Sequence, residues 1–323
     1  MKAIQVKQPG NVDQLHFVEC DIPVYSANDV VIQLKAIGIN FIDIYTRTGL
    51  YQPPHYPYTP GKEGSGVVTS VGKNVTDFKI GDRVAFCFAG SGSYAEYVVI
   101  DSNQVVLVPD DISFELAAAS LLQGLTAYYL SHLTFPLNKN HTALIHAGAG
   151  GVGLLLIQMA KSLHAKVITT VSTQEKAKWT KDAGADETIL YTQELFLKKV
   201  NEITNHLGVN VVYDAVGKTT FDDSLKSLAL RGMLVSYGQA SGPIPPLELT
   251  RLSERSLYIT RPVLGHYANN KNALRQMASA LFSLITSNEL KITIGQQYSL
   301  KDAAKAHTDL ETRQTIGKSI LLV

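Results

Sequence analysis

Six consecutive residues, Gly148-Ala149-Gly150-Gly151-Val152-Gly153, join an aliphatic run (Ala143, Leu144, Ile145) to an apolar segment containing Leu154, Leu155, Leu156, Ile157 and Met159. A strand that delivers such a glycine turn to a helix N-terminus can hold a pyrophosphate. Gly148 permits the tight turn, Gly150 lets a phosphate approach the backbone, and Gly153 lets helix and strand pack closely. The free N–H groups at the helix start face the anion. Glycine turns of this kind also serve packing alone, so the assignment depends on the elements around them.

Those elements alternate. Apolar, strand-like runs start near 143, 166, 187, 209, 233 and 257, about 21 to 24 residues apart, with helical stretches at 152–164, 194–207 and 221–230. This spacing suits right-handed crossovers of a parallel sheet and predicts an α/β fold, a full doubly wound parallel sheet of six strands rather than one βαβ unit. An NAD site places Asp or Glu at the end of its second strand, to accept from the ribose 2′-hydroxyl. Here the chain reads Val171-Ser172-Thr173-Gln174-Glu175-Lys176. A small hydroxyl and a cation in place of the carboxylate favour a 2′-phosphate, hence NADPH. Lys176, between Glu175 and Lys178, also reads as a solvated residue in an ordinary helix start.

Composition narrows the class. The 323 residues, 45% hydrophobic and 18% charged with a net charge of +1, describe a globular chain long enough for two domains. Near-neutrality gives no reason to expect nucleic acid or an acidic membrane as a partner. MKAIQVKQPG lacks the apolar core of a secretory signal, and no run reaches the roughly 18 apolar residues of a membrane span, so a cytoplasmic location is the expectation. Two cysteines, Cys20 and Cys87, are too few for a disulfide framework or a thiolate zinc site, and the nine histidines are scattered without an HExxH pattern.

Ahead of the glycine turn, short apolar runs (3–6, 30–37, 67–71, 83–88, 94–100 and 105–108) separated by turn residues predict an antiparallel β domain with one short helix near 41–48. Three polar spots stand out there. Asn40, Asp43, Tyr45 and Tyr51 lie at a strand end and the turn after it, Gly61–Gly66 reads as a glycine-rich turn carrying Lys62 and Glu63, and Gly81-Asp82-Arg83 reads as a turn with local ion pairing. By residue type alone, Asn40, Tyr45 and Tyr51 suit turn-forming and rim roles as well as a site. Helices near 272–285 and 301–311 and a strand at 319–323 return the chain to the β domain. The expected domains are 1–123, completed by 263–323, and 124–262.

A β domain followed by a dinucleotide domain, with the motifs GINFIDIYTRTGLY (38–51), GDRV (81–84), SFELAAASLLQGLTAYYL (113–130), HAGAGGVG (146–153), VVYDAVG (211–217) and LYITRP (257–262), resembles the zinc-independent quinone oxidoreductases related to zeta-crystallin, in the medium-chain dehydrogenase/reductase superfamily. The resemblance implies a GroES-like catalytic domain beside a Rossmann domain, NADPH as cofactor, a quinone or conjugated carbonyl as substrate, and a homodimer. Where zinc enzymes of the superfamily carry Cys, His and Cys, it aligns Asn40, Lys62 and Leu122, which cannot hold Zn²⁺. Asn40 would bond near the nicotinamide ribose, and Tyr45 and Tyr51 would line the substrate face and donate to a developing oxyanion. Ser172, Lys176, Tyr191 and Arg313 would surround the 2′-phosphate, while Gly238, Gln239, Ser241, Val263 and Leu264 would lie along the nicotinamide. Lys62 would either fill the vacated metal position, paired with Asp43 or Glu63, or stand as a solvated turn lysine. Two other functions remain open: reduction of enone or alkenal double bonds, and an NADPH-binding protein with an RNA-binding or crystallin-like structural role.

Overall fold

The structure, a computed structural model, describes residues 1–90 and 92–323. Two compact units divide the chain, one formed by Met1–Leu125 with Ala268–Val323 and the other by Thr126–Tyr267.

In chain order the first unit opens with β1 (Lys2–Gln5) and β2 (His16–Glu19), an antiparallel pair. Then come β3 (Asp29–Gly38), α1 (Phe41–Arg47), β4 (Glu63–Val71), β5 (Arg83–Phe86), β6 (Tyr97–Asp101), β7 (Val105–Leu107) and α2 (Phe114–Tyr128). The long strand β3 is the hub, antiparallel to β4 along its whole length and to β6 along Asp29–Gln33. Ile32, Leu34, Ile37, Val68, Val84, Phe86 and Val98 fill the core around it.

One expectation differs here, and one element had no expectation. The stretch Glu63–Gly66, read as part of a turn, is the start of β4. Its glycines allow β3 to come close, since a Cβ on Gly66 would lie 2.0 Å from the Gln33 carbonyl oxygen. The segment Phe114–Tyr128 is helix α2, with Ala117, Ala118, Ala119, Leu121 and Leu125 all buried. A helix buried nearly all round shows no amphipathic stripe for periodicity to detect.

The second unit contains β8 (Thr142–Ile145), α3 (Gly151–Ser162), β9 (Lys166–Val171), α4 (Gln174–Asp182), β10 (Glu187–Leu190), α5 (Phe196–Ile203), β11 (Val209–Asp214), α6 (Phe221–Lys226), β12 (Leu228–Ser236), β13 (Tyr258–Thr260) and α7 (Leu264–Tyr267). Its six strands are all parallel, in the order β10-β9-β8-β11-β12-β13. This is the expected doubly wound sheet, and the strand order reverses between β8 and β11, where such sheets bind ligands beyond the strand ends. As the apolar sequence after Gly153 predicts, α3 buries Leu154, Leu155, Leu156, Ile157, Met159 and Ala160.

The chain re-enters the first unit through α8 (Lys271–Thr286), β14 (Ile294–Ser299), α9 (Ala303–Glu311) and β15 (Lys318–Leu322). Strand β15 lies between β14, to which it is parallel, and β3, to which it is antiparallel. The half-exposed, polar strand β14 (IGQQYS) sits at the sheet edge and carries too little apolar pattern to be read as a strand.

Candidate active site

In the second unit the glycine turn occupies the end of β8 and the start of α3. Ala147 adopts φ 54°, Gly148 N–H donates to Thr170 O at 3.1 Å, and Gly150 N–H donates to Ala147 O at 2.9 Å. A Cβ on Gly148 would lie 1.9 Å from Thr169 Oγ1, and one on Gly153 would lie 2.4 Å from Ala147 O and 2.7 Å from Gly148 O. Packing therefore requires glycine at both positions. A Cβ on Gly150 would meet only Ala147 O, at 3.2 Å, so that side of the turn is open to a ligand. No side chain caps α3 and its first turn holds no acidic residue, which leaves its leading N–H groups free to meet an anion. Ala149 is buried, and Gly151 and Val152 are half-buried. The cradle fits a dinucleotide pyrophosphate.

Beneath it His146 is buried, bonded to Thr170 Oγ1 and Ser224 Oγ, each at 2.9 Å, and Ser224 Oγ donates to Asp214 Oδ2 at 3.1 Å. Asp214 Oδ1 accepts from the Val216 and Gly217 N–H groups at 2.7 and 3.0 Å. Burial lowers the His146 pKa, and Asp214 opposes that shift. The cluster ties the ends of β8, β9 and β11 to α6, and its burial gives it a structural role.

Val171 pairs with Leu190, so Ser172 and Tyr191 leave adjacent strands side by side, and Thr192 Oγ1 donates to Ser172 O at 2.9 Å. Lys176 is half-buried in the first turn of α4, where its N–H donates to the Thr173 cap at 3.2 Å. Arg313 belongs to the first unit, exposed in the turn after α9 with φ 61°. Gly238, Gln239 and Ser241 follow β12. A Cβ on Gly238 would lie 2.7 Å from Ala215 O, and Ser241 Oγ donates to Val216 O at 2.7 Å, so this loop is held against the one after β11. Val263 is exposed and Leu264, at the start of α7, is buried.

In the first unit Asn40 caps α1. Its amide nitrogen donates to Gly38 O at 3.2 Å and to Glu63 Oε2 at 3.0 Å. Its amide oxygen accepts from Lys318 Nζ at 2.7 Å and from Gln123 Nε2 at 3.4 Å. Lys318 and Glu63 form an ion pair of 2.6 Å, with side chains 1% and 0% exposed, and the Leu122 N–H donates to Glu63 Oε1 at 2.5 Å. The sequence reading offered Lys62 as a partner for Glu63 or Asp43. For Glu63 it is Lys318 on β15 that takes the carboxylate, because neighbouring residues at a strand start project to opposite sides; Lys62 Nζ donates to Ala89 O at 3.4 Å and lies near enough to Asp43 for its charge to favour the ionised carboxyl. Sequence reasoning missed Lys318, which precedes the apolar run 319–323 by one residue. A lone cation beside a buried strand was the available signal.

Tyr45 on α1 and Tyr51 in the following turn come together, with ring centroids 5.4 Å apart and edge-on, and the Tyr51 N–H donates to Tyr45 O at 3.0 Å. Tyr51 is 37% exposed. Asp43, also on α1, is buried. Its Oδ2 accepts from Asn40 N–H at 2.8 Å and Tyr94 O–H at 3.1 Å, while its Oδ1 has no hydrogen-bond partner among the described residues. Arg47 NH1 meets His307 Nδ1 at 3.1 Å, and arginine only donates, so the imidazole proton sits on Nε2 and is given to Tyr94 Oη at 2.9 Å. Arg47 NH2 pairs with Glu311 at 2.7 Å.

Burial raises the Asp43 pKa to about 7 against hydrogen bonds and nearby cations that lower it, and burial with Arg47 lowers that of His307 to about 3. Between the ordinary carboxyl value of 3.8 and about 7, Asp43 keeps a proton in the fold that the unfolded chain releases, so its contribution to stability falls as pH rises. His307 is neutral in the fold and protonated when unfolded from about pH 3 to 6.5, so its contribution rises with pH. Each slope is about 1.4 kcal/mol per pH unit, and the two oppose each other over most of that range. Asp43→Asn is expected to unmask His307, making stability climb by about 2–3 kcal/mol between pH 4 and 6.5. Urea unfolding at half-unit pH steps checks this, and parallel profiles for variant and parent would refute it.

Residues 26–110 match the alcohol dehydrogenase GroES-like domain and residues 151–282 match the zinc-binding dehydrogenase family. A GroES-like β unit in one chain with a doubly wound dinucleotide sheet defines an oxidoreductase of the medium-chain dehydrogenase/reductase superfamily. A quinone oxidoreductase from Pseudomonas aeruginosa is 45% identical over 322 residues, covering 99% of both chains. The solved structure of Escherichia coli quinone oxidoreductase complexed with NADPH superposes with a TM-score of 0.98 at 42% identity over 100% of both chains. A 2-haloacrylate reductase from a Burkholderia species is 37% identical, covering 99% of this chain and 98% of that protein. The chain belongs to the quinone oxidoreductase family. Among the described residues no helix is long and apolar enough to cross a membrane.

Proposed function

We propose that this protein reduces quinones by hydride transfer from NADPH, without zinc. The observation that supports the reading is the end of β9, where Ser172 leaves the sheet beside Tyr191 and the chain runs on to Lys176 in the first turn of α4 with no Asp or Glu at the strand end, in the same unit as an open glycine cradle. NADPH, when bound, supplies the hydride. Gly148, Ala149, Gly150, Gly151, Val152 and Gly153 hold its pyrophosphate, and Ser172, Lys176 and Tyr191 with Arg313 hold its 2′-phosphate. Gly238, Gln239, Ser241, Val263 and Leu264 flank the nicotinamide, and Asn40 orders its ribose. Tyr45 and Tyr51 line the acceptor site and donate to the oxygen that gains charge. In this reading residues 1–123, completed by 263–323, form the catalytic domain, and 124–262 bind NADPH.

Zinc does not fit. The donor set the family would need falls on Asn40, whose amide is already engaged on both atoms, on an ammonium and on a hydrocarbon, and none of these binds Zn²⁺. Quinones accept hydride without a Lewis acid, so position and hydrogen bonding supply the acceleration. Likeness to the 2-haloacrylate reductase favours a second reading, reduction of an activated C=C bond at the same site. Strand β13 has one unpaired edge, and the exposed Tyr258 upon it supports pairing of two copies as a homodimer. A cytoplasmic location accords with use of NADPH.

Initial rates of NADPH and NADH oxidation by metal-stripped protein, with 1,4-benzoquinone, 9,10-phenanthrenequinone and an alkenal, test the reading. Quinone turnover with NADPH that survives chelation is the expected result. Turnover on the alkenal alone selects the second reading, and no turnover on any acceptor rejects both. Lys176→Ala is expected to raise KM for NADPH about tenfold or more, in line with loss of a charge-assisted contact of about 1.5–3 kcal/mol, and to leave NADH nearly unchanged. Equal losses for both would remove Lys176 from the phosphate site.

A further inference from the structure

We propose that Gln123 presents a hydrogen-bond acceptor to a bound ligand that carries an N–H or O–H donor. Two side chains next to Asn40 have fixed polarity. The Lys318 ammonium only donates and the Glu63 carboxylate only accepts. Asn40 lies between them with its oxygen 2.7 Å from Lys318 Nζ and its nitrogen 3.0 Å from Glu63 Oε2, so neither end of its amide can be exchanged for the other. The Asn40 oxygen then faces Gln123, and only the Gln123 nitrogen can meet it, at 3.4 Å. This turns Gln123 Oε1 away from the network.

That oxygen is buried and, among the described residues, accepts from no donor. An unmatched buried acceptor costs roughly 1–3 kcal/mol, and nearly all buried polar groups in native proteins are matched. Gln123 also lies among Leu121, Leu122 and Leu125 on a helix that is otherwise apolar along this stretch. A glutamine kept there with its oxygen unsatisfied is accounted for by a ligand that satisfies it. The identity of that ligand rests on the reading above and has two sources of the same chemistry: a hydroxyl or carboxamide N–H of the nicotinamide nucleotide, or the O–H of the hydroquinone product. A quinone itself has only acceptors and would gain nothing from this oxygen.

Gln123→Met keeps the length of the side chain and removes the acceptor, while Asn40 Oδ1 retains Lys318. Without ligand, the melting temperature of the variant is expected to equal or exceed that of the parent, because an unmatched acceptor has been removed. A midpoint several degrees lower, or failure to fold, would show a purely structural glutamine and overturn the proposal. With ligand, a rise of about tenfold in the NADPH dissociation constant, read by nucleotide fluorescence, assigns the donor to the cofactor. An unchanged NADPH constant with about tenfold weaker binding of 1,4-hydroquinone assigns it to the product. If both constants stay within twofold of the parent, the proposal is wrong. Failure of the parent itself to bind NADPH would refute the cofactor reading, whereas the ligand-free melting and the hydroquinone titration would still decide the role of Gln123.

Discussion

Lys318→Met is expected to lower folding stability by about 3–5 kcal/mol, because it strands a charge in the interior. Glu63 is fully buried, and with Lys318 gone its carboxylate keeps, among the described residues, the Asn40 amide and the Leu122 N–H as partners. The attraction between the two charges is not the source of that figure. A buried pair roughly offsets its own desolvation, and the loss comes from leaving one ion without its counterpart. Glu63→Gln combined with Lys318→Met therefore recovers a large part of it, and the coupling between the two sites appears as strong non-additivity. Urea unfolding of the parent, both single variants and the double variant measures the cycle. A loss below about 1 kcal/mol for Lys318→Met would mean that water reaches Glu63 freely.

The second large effect falls on the glycine turn and separates its two kinds of glycine. Gly153→Val places carbon against two backbone carbonyls, Ala147 O and Gly148 O, that belong to the turn itself and cannot swing aside as a side chain would. The turn must open, and NADPH binding is expected to be lost along with several degrees of thermal stability. Gly150→Ala brings its methyl group near Ala147 O alone, at 3.2 Å, a tight contact that a small shift of the turn relieves, so folding is expected to persist. The methyl group then occupies the approach of the phosphates, and the NADPH dissociation constant should rise about tenfold or more, a penalty of at least about 1.4 kcal/mol. Circular dichroism melts with nucleotide titrations distinguish the two. Parent-like NADPH affinity in Gly150→Ala would place the pyrophosphate elsewhere.

The doubly wound sheet was legible because its signals are local. Each strand is a short apolar run, each crossover has a regular length, and the glycine turn is written within six residues. Elements whose character comes from distant partners were not. Helix α2 is buried on nearly every side, so its sequence has no polar face, and β14 is polar because it lies at an edge. Gly64 and Gly66 resemble turn residues until β3 is laid beside them. At the site, residue type left Asn40, Tyr45 and Tyr51 between turn and site roles, the family resemblance singled them out, and neither pointed to what surrounds Asn40. Glu63 and Lys318 are 255 positions apart, and only the pairing of β15 with β3 brings them together. The link from Asp43 through Tyr94 to His307 spans 213 positions between its last two members and leaves no local trace.

The placement of β15 bears on how the chain is made. The second unit is continuous in sequence and can acquire its complete sheet as soon as β13 and α7 have been synthesised. The first unit cannot, because the Ala36–Gly38 end of its central strand β3 lacks a neighbour on one side until residues 318–322 arrive, and with them the cation that, among the described residues, pairs with Glu63. A ribosome-bound chain that follows the usual amino-terminal-first order would be caught with an open sheet edge and an uncompensated buried carboxylate. Here the earlier segment waits for the later one, and the middle of the chain is the part positioned to fold first.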